Sequence, residues 1–211
     1  SSAIAPGSGR SHHDGTIQKP SPIAIGPNCD CVARTQSWSA TSCVSCDGNG
    51  APIACAAGCT FCCHQRVGIF PYEAMALYTH LRTQQSPAEA AAIEQRILAN
   101  ARRIDALTAD EHRRANLACA FLQDGRCSAY AVRPQACAAY HSTSRHHCEH
   151  AYANPADMGT PKNSRPVLLE LQMHSAALRD ATRAGLEAAG LPAAQGELHQ
   201  MLRTLIEGGE R

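Results

Sequence analysis

The sequence has few large apolar side chains. Leu, Ile, Val and Phe make up only 33 of the 211 residues, about 16% of the chain, and more than half of the 44% apolar fraction is Ala and Cys. A chain with less than roughly 20% of these large residues has difficulty offsetting its conformational entropy by burial. The net charge of +1 nevertheless argues against disorder. We therefore expect something besides apolar burial to stabilise part of this protein.

An excess of charge of one sign is also lacking. With 19 Lys and Arg against 18 Asp and Glu, the chain has no long-range field that would attract nucleic acid or an acidic membrane, so we predict neither as a partner. No run approaches the ~20 apolar residues of a membrane span. The N-terminal SSAIAPGSGRSHHDG lacks the basic start and apolar core of a signal peptide. These features predict a cytoplasmic protein.

Cysteine, in contrast, is abundant, with 12 residues in the chain. In an oxidising compartment so many cysteines would indicate disulfides, whereas closely spaced cysteines in a reducing cytosol more often bind metal. Several cysteines here are clustered tightly, which is rare in disulfide scaffolds. Metal binding is therefore the favoured interpretation, and a disulfide-stabilised binding module of the cell envelope is the alternative.

Composition divides the chain into three segments. Residues 1–54 form an arm rich in Ser, Gly and Pro, residues 55–150 form a cysteine-cluster metal-binding domain, and residues 151–211 form a C-terminal helical extension that we expect to pack on the core. The arm contains two cysteine pairs, Cys29 with Cys31 and Cys43 with Cys46. Together these four thiols could build one more metal site or stay free or disulfide-paired, so their role is open.

Hydrophobic periodicity predicts helices in the middle and at the end of the chain. A first-turn Pro followed by apolar residues at helical spacing predicts a helix over about 71–84. The segments SPAE (86–89) and TADE (108–111) are capping boxes, which mark helix starts. Another helix should end near Gly190, and residues 198–205 form a last amphipathic helix. We predict a mainly α fold: a small helical domain with irregular, cysteine-rich metal-binding loops.

The first cysteine block has four thiols within nine residues: Cys55, Cys59, Cys62 and Cys63. Such short spacers let thiolates converge on one ion, and Gly58 provides the backbone freedom for the turn between them. Side chains of the neighbouring Cys62 and Cys63 normally point in different directions. The pair is therefore more naturally shared between two metals or placed on a polynuclear cluster.

The second block contains Cys119, Cys127 and Cys137, followed by Cys148 in a His-rich run. The dipeptide Asp124–Gly125 predicts a tight hairpin turn that brings Cys119 and Cys127 together. The two blocks supply eight cysteines, enough for two tetrathiolate sites or for one cluster and one ion. Histidines that could complete a ligand set are His64, His141, His146, His147 and His150, and the cations placed to offset thiolate charge are Arg66, Arg126 and Arg133.

These residues resemble a known family. The run C-x₃-C-x₂-C-C, followed by C-x-F-L-x₄-C-x₂-Y-x₂-R-P-x₂-C, is similar to the YkgJ-type cysteine-cluster family, named for its CxxCxxCC pattern and described as chelating zinc or iron. The resemblance covers about residues 55–150 and has x₃ where the family name implies x₂. It implies that the following cysteines are metal ligands, with Cys148 as a further candidate: Cys55, Cys59, Cys62, Cys63, Cys119, Cys127 and Cys137. A similar cluster in flagellin lysine methylases links it to iron–sulfur chemistry.

The metal and the activity stay open at this point. Soft thiolates suit zinc and iron, including a [4Fe–4S] cluster, and do not suit Mg²⁺ or Ca²⁺. The main hypothesis is a metal-binding protein that chelates zinc or iron. The alternative is an iron–sulfur enzyme that modifies a protein or peptide, methyltransferase-like or radical-SAM-like, because residues 55–62 also fit the C-x₃-C-x-aromatic-C signature. The sequence assigns no catalytic residue, and it has no P-loop, dinucleotide fingerprint or nucleophile elbow.

Overall fold

The structure is a computed structural model that describes residues 53–56, 58–157 and 164–209. All of these residues belong to one compact unit of the chain. The N-terminal arm lies outside the described residues except for its last two positions, and so do its four cysteines: Cys29, Cys31, Cys43 and Cys46.

The described part is mainly α-helical, as predicted. Its helices are α1 (Pro71–Gln84), α2 (Pro87–Asp105), α3 (Ala109–Arg114), α4 (Gln135–Ala138), α5 (Arg145–Ala153), α6 (Leu169–Ala188) and α7 (Leu198–Gly209). Four two-residue strands are β1 (Gly68–Ile69), β2 (Leu122–Gln123), β3 (Arg126–Cys127) and β4 (Gly196–Glu197). Short 3₁₀ helices cover Phe61–His64, Tyr130–Val132 and Pro155–Asp157. No helix in the described ranges is long and apolar enough to cross a membrane.

Local capping signals determine where the first helices begin. Helix α1 spans the predicted residues, with Pro71 in its first turn. At the start of α2 the Ser86 hydroxyl accepts from the Glu89 backbone N–H at 3.3 Å, and the Glu89 carboxylate accepts from the Ser86 N–H at 3.0 Å. Thr108 makes the same arrangement with Glu111 before α3. These capping boxes are confirmed, because their bonds satisfy amide groups that a helix start leaves unpaired.

The apolar core forms where α7 packs against both α1 and α2. Leu198, Leu202 and Ile206 recur at four-residue intervals on the buried face of α7. They join a cluster that includes Ile69, Leu77, Leu81, Ile93, Ile97 and Phe121. Each such side chain contributes about 1.5–3 kcal/mol when fully buried. The few large apolar residues are thus concentrated in one helical core, and the domain boundary expected at residue 150 stays a prediction.

Two small antiparallel ladders connect the core to the loops. Strand β1 pairs with β4, with Gly68 opposite Glu197, so the chain before α1 lies beside the start of α7. Strands β2 and β3 form the predicted hairpin, with Leu122 opposite Cys127. Its turn residues Asp124 and Gly125 have φ values of 46° and 72°, which is the conformation that a two-residue hairpin turn of this type requires. This hairpin holds Cys127 close to the loop that contains Cys119.

Candidate metal centre

The first cysteine block lies in a loop followed by the 3₁₀ helix Phe61–His64. The Cys59 N–H donates to Ala56 O at 3.0 Å, and the Cys63 N–H donates to Thr60 O at 2.9 Å, so the chain turns twice within the block. Gly58 between these turns has φ of 83°. The backbone freedom expected of this glycine is therefore used, since other residues rarely adopt such a value.

The second cysteine block meets the first through the backbone. The Cys119 N–H donates to Cys63 O at 2.7 Å, and the Ala54 N–H donates to Ser142 O at 2.8 Å. The Leu122 N–H then closes a turn onto Cys119 O at 2.9 Å, directly before the β2–β3 hairpin. Two stretches that are far apart in sequence are thus held together by main-chain hydrogen bonds.

Four thiols from the two blocks form one group, the inner group: Cys62, Cys119, Cys127 and Cys137. The pKa of Cys137 is raised to about 12, chiefly by burial and then by the nearby Cys119, Cys62 and Cys127, against the opposing effect of Arg133. Burial is also the main cause of the raised pKa of Cys127, with contributions from Cys119 and Cys62. Each of these sulfurs therefore lies within electrostatic range of the others.

A second set, the outer group, consists of Cys55, Cys59, Cys62 and Cys148. Burial raises the pKa of Cys59, and Cys55, Cys62 and Cys148 each raise it further. Cys148 reaches this group from α5, whose N-terminus is capped by the Ser144 hydroxyl, which accepts from the His147 N–H at 3.1 Å. Helix α5 also packs against the 3₁₀ helix of the first block. The structure thus brings Cys148 to the first block rather than to the second block that precedes it in sequence.

Cys62 belongs to both groups. Its pKa is raised chiefly by a side-chain hydrogen bond with Cys63, then by burial. The sulfurs of the adjacent pair therefore lie close together, and the expectation that the pair serves two metals or a polynuclear cluster stays a prediction.

The donor set fits a soft metal, although it is not in coordination geometry. The eight described cysteines are free thiols and half-buried, and among the described residues no three or more Cys, His, Asp or Glu side chains are arranged to hold an ion as they stand. Two buried donor atoms, Arg96 Nη2 and Gln135 Nε2, have no hydrogen-bond partner within the described ranges. Arg96 lies within electrostatic range of Cys119, and a metal-bound sulfur there could accept from its free N–H. Thiols become ligands by losing a proton, and grouped thiolates repel one another unless a cation neutralises them.

Three arginines lie within electrostatic range of the inner group, and Arg145 lies within range of Cys59 in the outer group. Arg133 lowers the pKa of Cys127 and Cys137 against their burial, as expected from its place in sequence. Arg165 does so for Cys62, and its guanidinium stacks over the Tyr140 ring at 3.8 Å from the ring centre. The third is Arg96, which lowers the pKa of Cys119 against the effect of burial.

The other two arginines expected near the thiols, Arg66 and Arg126, are exposed. The charge of Arg66 lowers the pKa of His112. Sequence reasoning missed Arg96 and Arg165 because both approach the thiols from distant helical and loop segments. No spacing relative to a cysteine marks them.

The histidines differ in their availability as ligands. Both ring nitrogens of His141 are used: the Leu168 N–H donates to Nε2 at 3.0 Å, so Nδ1 carries the proton and donates to Ala139 O at 3.0 Å. His64 uses Nδ1 toward Thr60 O at 3.1 Å. His146, His147 and His150 lie on α5 beside Cys148. His141 is therefore a structural residue here and not a free ligand, which corrects its place among the candidates.

Glu73 fixes the start of the helix that contains Cys137, one of the thiols of the inner group. This buried carboxylate accepts from the Phe70 N–H at 2.8 Å at the start of α1 and from the Gln135 N–H at 2.7 Å at the start of α4. Helix α4 contains Cys137. One side chain thus fixes the helix that presents a thiol, and no sequence pattern indicated this role.

Comparison with known proteins gives one match. The model of the CxxCxxCC family, described as a "putative zinc- or iron-chelating domain", matches residues 54–158, about half of the chain. This range includes all eight described cysteines, which are the seven of the inner and outer groups and Cys63. No curated protein and no solved structure matches the chain.

Proposed function

The chain belongs to the CxxCxxCC family, whose description supports metal binding, and from this premise we propose that its eight described cysteines chelate zinc or iron. The observation that carries the proposal is the inner group. Cys62 comes from one block and Cys119, Cys127 and Cys137 come from the other, and all four are unpaired thiols within electrostatic range of one another. Four converging thiols are the ligand set of structural zinc and of iron–sulfur sites.

The number of thiols supports two metal positions. The inner and outer groups each contain four thiols because they share Cys62, and the neighbouring Cys63 is an eighth sulfur beside them. A divalent ion bound by four thiolates has a net charge of −2, which favours nearby cations. Arg96, Arg133 and Arg165 provide three positive charges within range of the inner group. The charge balance of the surroundings therefore suits a tetrathiolate centre.

Metal would also stabilise the loops that hold the cysteines. Residues 53–56, 58–70 and 115–144 have little regular structure, whereas the large apolar core lies among α1, α2 and α7. A structural metal couples its binding free energy to folding, because the unfolded chain offers no preformed site. We propose that coordination orders these loops, while the helical core is stabilised by apolar burial.

The test is elemental analysis with a visible spectrum on full-length protein purified without air. Zinc gives a colourless protein and iron a coloured one. We expect bound metal in the unchanged protein, partial loss in Cys137→Ser and in Cys148→Ser, and loss from both positions in Cys62→Ser. Ser128→Ala, beside Cys127 but without a sulfur, is the control and should keep its metal. Full metal content and an unchanged melting temperature in Cys137→Ser would contradict the assignment of the inner group.

A further inference from the structure

A buried acid–histidine pair lies beyond the residues matched by the family. Glu197 ends β4, and His199 lies in the first turn of α7. Their side chains are only 3% and 8% exposed, and His199 Nδ1 lies 3.0 Å from Glu197 Oε1. Burying a carboxylate and an imidazole costs free energy unless both are fully hydrogen-bonded, so both side chains need further partners.

The hydrogen bonds fix the tautomer of His199. The Ala120 backbone N–H can only donate, and it lies 3.2 Å from His199 Nε2, so Nε2 is the acceptor. Nδ1 therefore carries the proton and donates to Glu197 Oε1. Glu197 Oε2 accepts from the backbone N–H groups of His199 at 2.7 Å and Gln200 at 3.0 Å. A continuous chain of hydrogen bonds thus runs from Glu197 through His199 to Ala120.

Ala120 directly follows Cys119, and the same short loop is held at further backbone atoms. Asn100 of α2 donates through Nδ2 to Ala118 O at 2.8 Å and lies 3.2 Å from His199 Nε2. Arg96 of α2 donates through Nε to Ala120 O at 3.0 Å. Side chains from α2 and α7 therefore fix the backbone on both sides of Cys119.

From these contacts we propose that Glu197 and His199 are positioning residues that hold the Cys119 thiol in place for a metal ion of the inner group. This inference rests on the proposed function, and it extends the metal centre to residues beyond the family match. The pair acts on this thiol through the Ala120 amide, whose position determines where the preceding side chain points. The Glu197 carboxylate also lies within electrostatic range of Cys119 and raises the pKa of that thiol. Residues that hold a metal ligand in position increase the metal affinity, because a ligand that is already positioned loses less conformational entropy when the metal binds.

The test compares two substitutions of His199 whose side-chain amides reach the positions of different ring nitrogens. His199→Gln places an oxygen near the position of Nε2, so it can still accept from the Ala120 N–H. His199→Asn reaches only the position of Nδ1 and cannot. We expect His199→Asn and Glu197→Ala to weaken Co²⁺ binding by roughly 10- to 100-fold, as for other residues that orient ligands, and His199→Gln to stay close to the unchanged protein. The readouts are competition with a chelator and the sulfur-to-cobalt absorption band of the full-length protein.

Asp105→Asn is the matched control. Asp105 also links α2 to α7, through hydrogen bonds from Gln200 at 2.8 Å and from Arg203 at 2.5 Å, but it contacts no cysteine loop. It should lower stability without changing Co²⁺ affinity or the absorption band. If His199→Asn binds Co²⁺ as tightly as Asp105→Asn, or if His199→Gln is as weak as His199→Asn, the positioning role is wrong. If the unchanged protein binds no metal, the proposed function fails first, and the positioning role fails with it.

Discussion

The backbone N–H of Cys119 donates to the carbonyl oxygen of Cys63 at 2.7 Å. This one hydrogen bond joins the two cysteine blocks directly behind their thiols. It holds the backbone of Cys63, the neighbour of Cys62, against the backbone of Cys119 without using either side chain. The metal centre that we propose is therefore built on a direct backbone contact between the two blocks.

Glu73 provides a first prediction. Its carboxylate accepts from the Phe70 and Gln135 backbone N–H groups at the starts of α1 and α4. In Glu73→Gln one carboxylate oxygen is replaced by an amide NH2 group that cannot accept, so a buried backbone N–H loses its partner. We expect the free energy of unfolding in urea to fall by about 2 kcal/mol, with weaker metal binding because α4 contains Cys137.

The control for this substitution is Glu89→Gln, which alters the exposed capping box of α2. Its effect on stability should be clearly smaller, because water can replace the lost bond, and metal affinity should not change. If both substitutions lower the free energy of unfolding equally, the burial of Glu73 does not add to the cost of losing its hydrogen bond.

A second prediction compares two glycines. Gly125, in the β2–β3 turn, has φ of 72°, whereas Gly185, inside α6, has helical backbone and open space around its Cβ position. Gly125→Ala should cost about 1–2 kcal/mol, since a side chain is strained in that conformation. Gly185→Ala should instead stabilise the protein by about 0.5–1 kcal/mol.

Urea unfolding of both glycine variants measures these opposite effects. Only Gly125→Ala should also change the reactivity of the Cys127 thiol toward an alkylating reagent, because the hairpin determines its position. A stabilised Gly125→Ala would mean that the turn does not have the described conformation.

A third prediction concerns pH. Burial is the largest cause of a lowered pKa at His112, where Arg66 and His199 also lower it and Glu197 opposes them. A lowered pKa in the folded state means that the unfolded chain binds the proton more readily. The stability from neutral His112 is therefore complete above the ordinary histidine pKa, which is 6.5, and it is lost as the pH falls through the lower value of the folded state.

Urea unfolding of metal-free protein between about pH 7 and pH 5 measures this dependence. His112→Gln should flatten the curve, whereas His174→Gln, at an exposed position on α6, should leave its slope unchanged. An identical slope in all three proteins would remove His112 as the cause.

Local signals in the sequence predicted much of the fold. The limits of α1, the capping boxes at Ser86 and Thr108, and the turn at Asp124 each depend on residues within a few positions of one another. Such signals act through backbone conformation and neighbouring hydrogen bonds, so they can be recognised without knowing the rest of the chain. The clustering of cysteines and its likeness to a metal-chelating family were visible in the same way.

The sequence by itself determined the helical architecture, the hairpin and the eight clustered thiols. Only the tertiary structure decided how those thiols are grouped, with Cys148 joined to the first block and Cys62 placed between the two groups. The tertiary structure likewise decided where Arg165, Glu73 and the Glu197–His199 pair lie relative to the cysteine loops. Each acts across a long stretch of chain, and such contacts arise from how helices pack around a common core, which no local spacing of residues encodes.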